Sequence, residues 1–391
     1  MMRVALVHDW LTGTRGGERV LEALIELLPD ADLFTLLHVP GSVSPRISER
    51  VRATSFIQRL PGSARHFRKL LPLFPHAIER LDLRGYDLVL SSSHCVAKGV
   101  HSRGAVHVCY CHTPMRYIWD QYDAYVGARG HGMLRTAGRP LAAHLRAWDR
   151  RTAARVDRFV ANSAHVRDRI RHAWSRDALV VHPPVDVSRF APGSDRADAY
   201  VCAGALVPYK RVDLAIAAFN ESGRPLLVVG DGPEYPRLRA LARGNVTFTG
   251  RVPDVELSAI LGRARALVMP MVEDFGIIGV EAQAAGTPVI ALRAGGACET
   301  VVPFERPLPA TRARTDAGCA TGVFFDVQTP ASLNAAVDLR ERLTFRVPVL
   351  RAQAARFAPD VFRRGMRAVL ADALAERALP ASRLEPHAAV S

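Results

Sequence analysis

Two glutamates separated by seven residues, Glu273 and Glu281, straddle a loop and the start of a helix-period segment. From the loop, one carboxylate can accept hydrogen bonds from a hydroxyl-rich ligand. The other stands about two helical turns further on and can take a vicinal diol bidentately. The plain alternative is an acidic helix start favoured by the helix dipole, but the Ala- and Gly-rich segment that follows reads as closely packed. Lys210 and Arg211 leave a strand-like run at Ala203-Gly204-Ala205 and enter a helix. Two cations at the carboxyl end of a strand suit a diphosphate. Near the N-terminus, Gly16 and Gly17 lie where a strand turns into a helix, so their N–H groups can approach an anion. The loop lacks both the G-x-G-x-x-G and the Walker patterns, which leaves a simple packing turn as the alternative. His8, His94 and His112 each fall at the end of an expected strand, where parallel sheets bind ligands. Any one of them alone would read as a satisfied structural histidine. Cys109, Cys111 and His112 have no second ligand pair at zinc spacing, so no metal site is expected.

These residues need a frame, and the hydropathy pattern supplies one. Short apolar runs occur at Val4–His8, Leu33–His38, Asp87–Ser91, Ala105–Tyr110, Arg158–Ala161 and Ala178–His182. A second series follows at Ala199–Ala203, Leu226–Val229, Val246–Thr249, Ala266–Met269, Val289–Leu292 and Gly322–Phe325. Helix-period segments such as Gly17–Leu28, Ala164–Trp174, Val212–Ser222, Glu234–Arg243 and Val255–Ala264 lie between them. Continuous apolar strands alternating with helices imply parallel sheets covered on both faces. Two series imply two doubly wound α/β domains, expected at residues 1–187 and 188–375, with a frayed tail over 376–391. The stretch 127–139, rich in Gly and Arg, reads as a loop.

Composition closes off other classes. With 391 residues, 49% of them hydrophobic, the chain can bury a core in each of two domains. Lys and Arg outnumber Asp and Glu 52 to 38, for a formal charge of +14. That excess attracts polyanions, but aromatic residues make up only 7%, and no basic stretch is interleaved with stacking aromatics. Nucleic acid is therefore not the expected partner. No apolar run approaches the ~18 residues of a membrane span, and His8 and Asp9 interrupt the N-terminal apolar run too early for a signal peptide. A cytoplasmic location with reduced thiols is expected.

The ordered run of motifs carries a resemblance. Val207-Pro208-Tyr209-Lys210-Arg211, Val229-Gly230-Asp231-Gly232-Pro233-Glu234, Phe248-Thr249-Gly250-Arg251-Val252, the Glu273…Glu281 pair and Gly286-Thr287-Pro288 resemble the nucleotide-binding half of family-4 retaining glycosyltransferases. His8-Asp9-Trp10-Leu11, Gly16-Gly17-Glu18, Ser91-Ser92-Ser93-His94, Ala97-Lys98-Gly99 and His112-Thr113-Pro114-Met115-Arg116 resemble mannosyltransferases of O-antigen and exopolysaccharide assembly. The resemblance implies the GT-B fold, two Rossmann-like domains facing across a cleft, with a last helix crossing back to the N-terminal domain.

It also implies transfer of a hexose, mannose from GDP-mannose first, onto a saccharide or polyprenyl-diphosphate-linked saccharide, without a metal cofactor. The catalytic residues implied are His112, Lys210 and Glu273. Donor contacts fall to Gly16, Gly17, Arg211, Gly250, Val252, Phe275, Gly276, Ile277 and Glu281, and the acceptor side to His94, Arg116 and Asp120. Two positions depart from the family pattern: Ala205 stands where Arg is common, and Gly279 where Pro is common. A glucosyl- or galactosyltransferase using a UDP-sugar and a non-catalytic binder of nucleotide sugars or nucleic acid are the competing readings. Between Phe56 and Arg84 basic and large apolar residues interleave. The expectation there is a peripheral contact with the inner face of an anionic membrane, against the alternative of core apolar residues and solvated charges.

Overall fold

The computed structural model describes residues 2–119, 132–193, 199–307 and 314–377, with the backbone alone for 132–137. Two compact units result: Met1–Pro184 with Asp360–Ser391, and Val185–Pro359. The division falls after Pro184 rather than after residue 187, and the closing helix Pro359–Glu376 belongs to the first unit from Asp360 onward.

The first unit is built on seven parallel strands: β1 (Val4–His8), β2 (Asp32–Thr35), β3 (Val51–Thr54), β4 (Leu88–Ser93), β5 (Val106–Cys111), β6 (Arg158–Ala161) and β7 (Ala178–Val180). Their order is β3-β2-β1-β4-β5-β6-β7. Every residue of β1, β4 and β5 is buried, because side chains alternate between two covered faces. On one face Leu6, Leu90, Val108 and Tyr110 pack with Leu21 and Leu24 of helix Gly16–Leu27 and with Phe362, Met366 and Leu370 of the closing helix. The ring of Phe362 lies edge-on to Tyr110 at 5.6 Å, which is why that helix cannot leave the first sheet without opening its core. On the other face Ala5, Val7 and Val89 meet Ile78, Leu145 and Trp148.

The second unit repeats the plan with β8 (Tyr200–Ala203), β9 (Leu226–Val229), β10 (Val246–Gly250), β11 (Leu267–Met269), β12 (Val289–Leu292), a short β13 (Thr315–Asp316), β14 (Gly322–Phe325) and a short β15 (Leu343–Thr344). The main sheet runs β10-β9-β8-β11-β12-β14, and β13 pairs with β15 apart from it. In both units the strand order reverses beside the first strand, at β1/β4 and at β8/β11. That reversal opens a crevice at the carboxyl ends of the strands, where open α/β sheets bind ligands.

Two sequence expectations need correcting. The stretch 127–139 is not all loop, because a helix begins at Gly132 and runs to Ala153. Its buried Ala142, Leu145 and Trp148 supply the packing that overrides the poor helix propensity of its glycines and of Pro140. Strand β3 has no counterpart among the apolar runs, because Arg52 interrupts its own. It is an edge strand with half-exposed positions, where a charge is tolerated.

Candidate active site

At the β1/β4 reversal the chain builds a dense polar cluster. Asp9, fully buried, directly follows β1. Its carboxylate accepts four backbone N–H groups: His94 at 2.7 Å, Cys95 at 2.9 Å, Val96 at 2.6 Å and Ala97 at 2.7 Å. Successive amides of this kind form an anion nest, and here the chain's own carboxylate fills it, fixing the turn after β4. Asp9 also lies 3.1 Å from His94 Nδ1. The His94 ring stands edge-on to Trp10 at 4.5 Å and lies 6.1 and 6.3 Å from the rings of His8 and His112. Three histidines from three strand ends therefore share one crevice.

Ser92 joins two of them: its Oγ is 3.1 Å from His8 Nδ1 and 2.8 Å from His112 Nε2. Gly17, at the start of helix Gly16–Leu27, sits directly over both rings, since a Cβ there would lie 3.6 Å from His8 Cε1 and 3.8 Å from His112 Nε2. His112 is only half-buried by surface area, but its ring is enclosed by these groups. Burial, then the nearby His94 and His8, push its pKa down to about 3, so the ring is neutral at working pH. Burial likewise lowers His94.

Behind the crevice lies a buried ion pair. Lys98 Nζ is 2.9 Å from Asp149 Oδ1 and donates to Thr152 Oγ1 and to the Asp149 carbonyl, both at 2.8 Å. Asp149 Oδ2 accepts the indole N–H groups of Trp119 at 2.8 Å and Trp174 at 2.7 Å. Trp119 lies on the stretch that follows His112, so this pair ties that stretch to helices Gly132–Ala153 and Ala164–Trp174.

In the second unit the reversal brings Lys210 and Glu273 into direct contact, Nζ on Oε1, with both side chains largely buried. Close backbone approach makes the crevice: a Cβ on Gly230 (φ +132°) would fall 1.9 Å from Gly204 O. Glu273 is braced from behind by Gly295 and Gly296. Gly296 N–H donates to Glu273 O at 2.8 Å, and a Cβ on Gly295 would lie 2.3 Å from that oxygen. Gly276 (φ +87°) turns the chain into helix Ile277–Ala284, on which Glu281 is buried. Among the described residues no group of three or more His, Cys, Asp or Glu side chains could hold a metal ion.

Two family models divide the chain almost end to end: Glycosyltransferase Family 4 matches residues 14–189, and Glycosyl transferases group 1 matches residues 186–344. The chain belongs to glycosyltransferase family 4. Among similar curated proteins is the GDP-mannose-dependent alpha-(1-6)-phosphatidylinositol monomannoside mannosyltransferase of Mycolicibacterium smegmatis, 36% identical over 172 residues, covering 36% of this chain and 45% of that protein. The chain thus spans about half the length of the curated relatives it matches. Among solved structures, sucrose-phosphate synthase from Thermosynechococcus elongatus superposes with a TM-score of 0.66 at 18% identity, over 96% of this chain and 100% of that one. HepE of Anabaena, solved with UDP and glucose, superposes with a TM-score of 0.62 at 14% identity, over 95% and 99%. These likenesses show the fold, two Rossmann-like parallel-sheet units of the GT-B class.

Set on this family frame, the expected site residues fall into separate groups. His94, His112, Gly16 and Gly17 meet in the first unit's crevice. Arg116 is half-buried on the loop after His112, and Asp120 lies outside the described residues. Lys210, Glu273 and Gly276 meet in the second unit's crevice. Gly250 ends β10, and its carbonyl accepts Gly230 N–H at 2.8 Å. Arg211 (φ +50°) turns its guanidinium to Asp213 at 3.4 Å and Gln328 at 3.3 Å, so its charge is already shared within the unit.

Phe275 is buried and packs edge-on to Phe357 at 5.3 Å. Val252 and Ile277 are partly buried against the same core, leaving mainly backbone from these three positions. Gly279 lies inside the helix rather than at its turn. A Cβ there would press on Met269 Sδ at 3.0 Å, so the small residue serves close packing. Sequence reasoning missed Ser92, Glu18 and the Gly295-Gly296 brace as working parts, although each stands inside a conspicuous Ser- or Gly-rich run.

Proposed function

We propose that this protein is a retaining hexosyltransferase that moves mannose from GDP-mannose onto a lipid-linked saccharide. The observation that carries the reading is the Lys210–Glu273 contact at the second unit's strand-order reversal. It puts a cation and a carboxylate at one point of the second unit's sheet, which suits a diphosphate and the hydroxyls of a sugar. The mannosyltransferase relatives support the donor and the lipid-linked acceptor. In this reading the second unit takes the donor, with Glu281 on the ribose and Glu273 on the sugar hydroxyls, and the first unit takes the acceptor. As the bond from the anomeric carbon to the phosphate oxygen breaks, positive charge grows on the sugar and negative charge on the diphosphate. Lys210 stabilises the departing diphosphate. The acceptor hydroxyl forms the new bond on the same face, and its proton passes to the departing phosphate oxygen. The products are a nucleoside diphosphate and a glycoside of retained configuration.

A screen of GDP-mannose against UDP-sugars, reading released nucleoside diphosphate in the presence of lipid-linked acceptor, tests this. Glu273→Ala and Lys210→Ala should each cut transfer ~10²–10³-fold, the usual loss for one preorganised electrostatic contact, while the fold survives. Near-normal turnover by a folded Glu273→Ala protein would refute the assignment.

The same reading places the protein peripherally on an anionic inner-membrane surface. Within the Phe56–Arg84 stretch, Ile57, Phe67, Phe74, Ala77 and Ile78 are core, while Arg59, Arg65, Arg68 and Lys69 face outward with Leu73. No described helix is long and apolar enough to cross a membrane. The proposed attraction is therefore mainly electrostatic, about 1 kcal/mol per basic residue at the surface. Co-sedimentation with anionic vesicles that is lost at high salt is expected; equal, negligible binding to anionic and neutral vesicles would refute it.

A further inference from the structure

A line of side chains in the first unit ends on His112. Glu18 is buried; its Oε2 accepts Arg15 N–H at 2.8 Å and its Oε1 lies 3.7 Å from His8 Nε2. His8 Nδ1 faces Ser92 Oγ, which in turn faces His112 Nε2. One hydroxyl has one proton to give, so Ser92 donates to one ring and accepts from the other. With one proton on each ring, two concerted arrangements result. In the first, His8 carries its proton on Nε2 toward Glu18, Ser92 donates to His8 Nδ1, and His112 donates from Nε2, leaving its Nδ1 as an acceptor. In the second every proton is reversed, and a lone pair on His8 faces the carboxylate. Attraction between an N–H and a carboxylate favours the first arrangement, and the facing lone pair disfavours the second. Burial alone would raise Glu18, but the neighbouring His8 carries its pKa below the usual value, so the carboxylate is charged when the choice is made.

We propose that Glu18, acting through His8 and Ser92, fixes His112 as the Nε2–H tautomer and so leaves Nδ1 to accept a hydrogen bond from a hydroxyl of the sugar substrate. Glu18, His8 and Ser92 are positioning residues. The substrate named here rests on the functional reading above; the tautomer does not. Two-bond ¹H–¹⁵N correlation spectra of the ¹⁵N-labelled full chain read the tautomer directly, and a pyridine-like Nδ1 with a pyrrole-like Nε2 is expected for His112. Glu18→Gln preserves the shape and the cap of Arg15 N–H while removing the charge. To keep the bond from Arg15 N–H its amide oxygen must stay in place, which turns the NH₂ group toward His8 Nε2. The pyridine-like signal of His112 should then move from Nδ1 to Nε2, with kcat/KM for transfer falling about tenfold, the worth of one neutral hydrogen bond. In Ser92→Ala the link is cut, and adding Glu18→Gln should no longer change His112. A wild-type His112 protonated on Nδ1, or a tautomer indifferent to Glu18→Gln in the folded variant, overturns the proposal. Absence of sugar transfer with the expected tautomer would instead overturn the functional reading alone.

Discussion

Replacing Lys98 by Met should destabilise the first unit far more than any surface change, and the structure sets the size. Lys98 and Asp149 are both fully buried, 2.9 Å apart. Methionine keeps most of the stem volume but leaves a carboxylate in the core with two indole donors and no cation. Removing one partner of such a pair costs about 3–5 kcal/mol. For a unit of this size each kcal/mol shifts the midpoint by roughly 2–4 °C, so a fall of about 10 °C is expected. Lys98→Met combined with Asp149→Asn should recover part of that loss, because the asparagine oxygen still accepts an indole N–H and no charge remains stranded. Trp119 and Trp174 donate to Asp149, and Lys98 lies over the Trp148 and Trp174 rings at 5.3 and 4.6 Å. Tryptophan fluorescence therefore reports this locus, while circular dichroism follows the whole unit. A loss under about 1 kcal/mol for Lys98→Met, or a double variant no better than the single, would refute the argument.

Further outcomes follow from other contacts. Glu281→Ala should raise KM for the donor more than it lowers kcat, since a ribose contact is shared by ground and transition states; steady-state kinetics against donor concentration separates the two. Gly230→Ala should fail to fold or lose roughly 3 kcal/mol or more, because the new Cβ meets Gly204 O; urea unfolding of the variant checks it. Burial lowers the pKa of His107, which is fully buried against Ser91 Oγ, to about 4. The unfolded chain then binds the extra proton first, so stability is full above the unfolded value of 6.5 and declines as pH falls toward the folded value. From full stability at neutral pH down to about pH 5 the loss is roughly 2 kcal/mol. Urea titrations across that range should show the decline, and His107→Gln should flatten it.

Local pattern determined much of this protein. Strands such as Val4–His8, Arg158–Ala161 and Leu226–Val229, and helices Ala164–Trp174 and Val212–Ser222, have the bounds read from hydropathy alone. Burial on both sheet faces leaves a continuous apolar signal that neighbours in the chain suffice to carry. The strand-end positions of His8, His94, His112, Lys210 and Glu273 were legible for the same reason. What tertiary structure alone decided are the pairings between distant residues. Asp9 holds the amides of residues 94–97, Lys98 meets Asp149, and Gly295 braces Glu273. None of these leaves a periodic trace, because each joins segments brought together only when the sheet closes. The helix from Gly132 and the burial of Phe275 belong to the same class, as packing partners far along the chain overrode what the residues prefer locally.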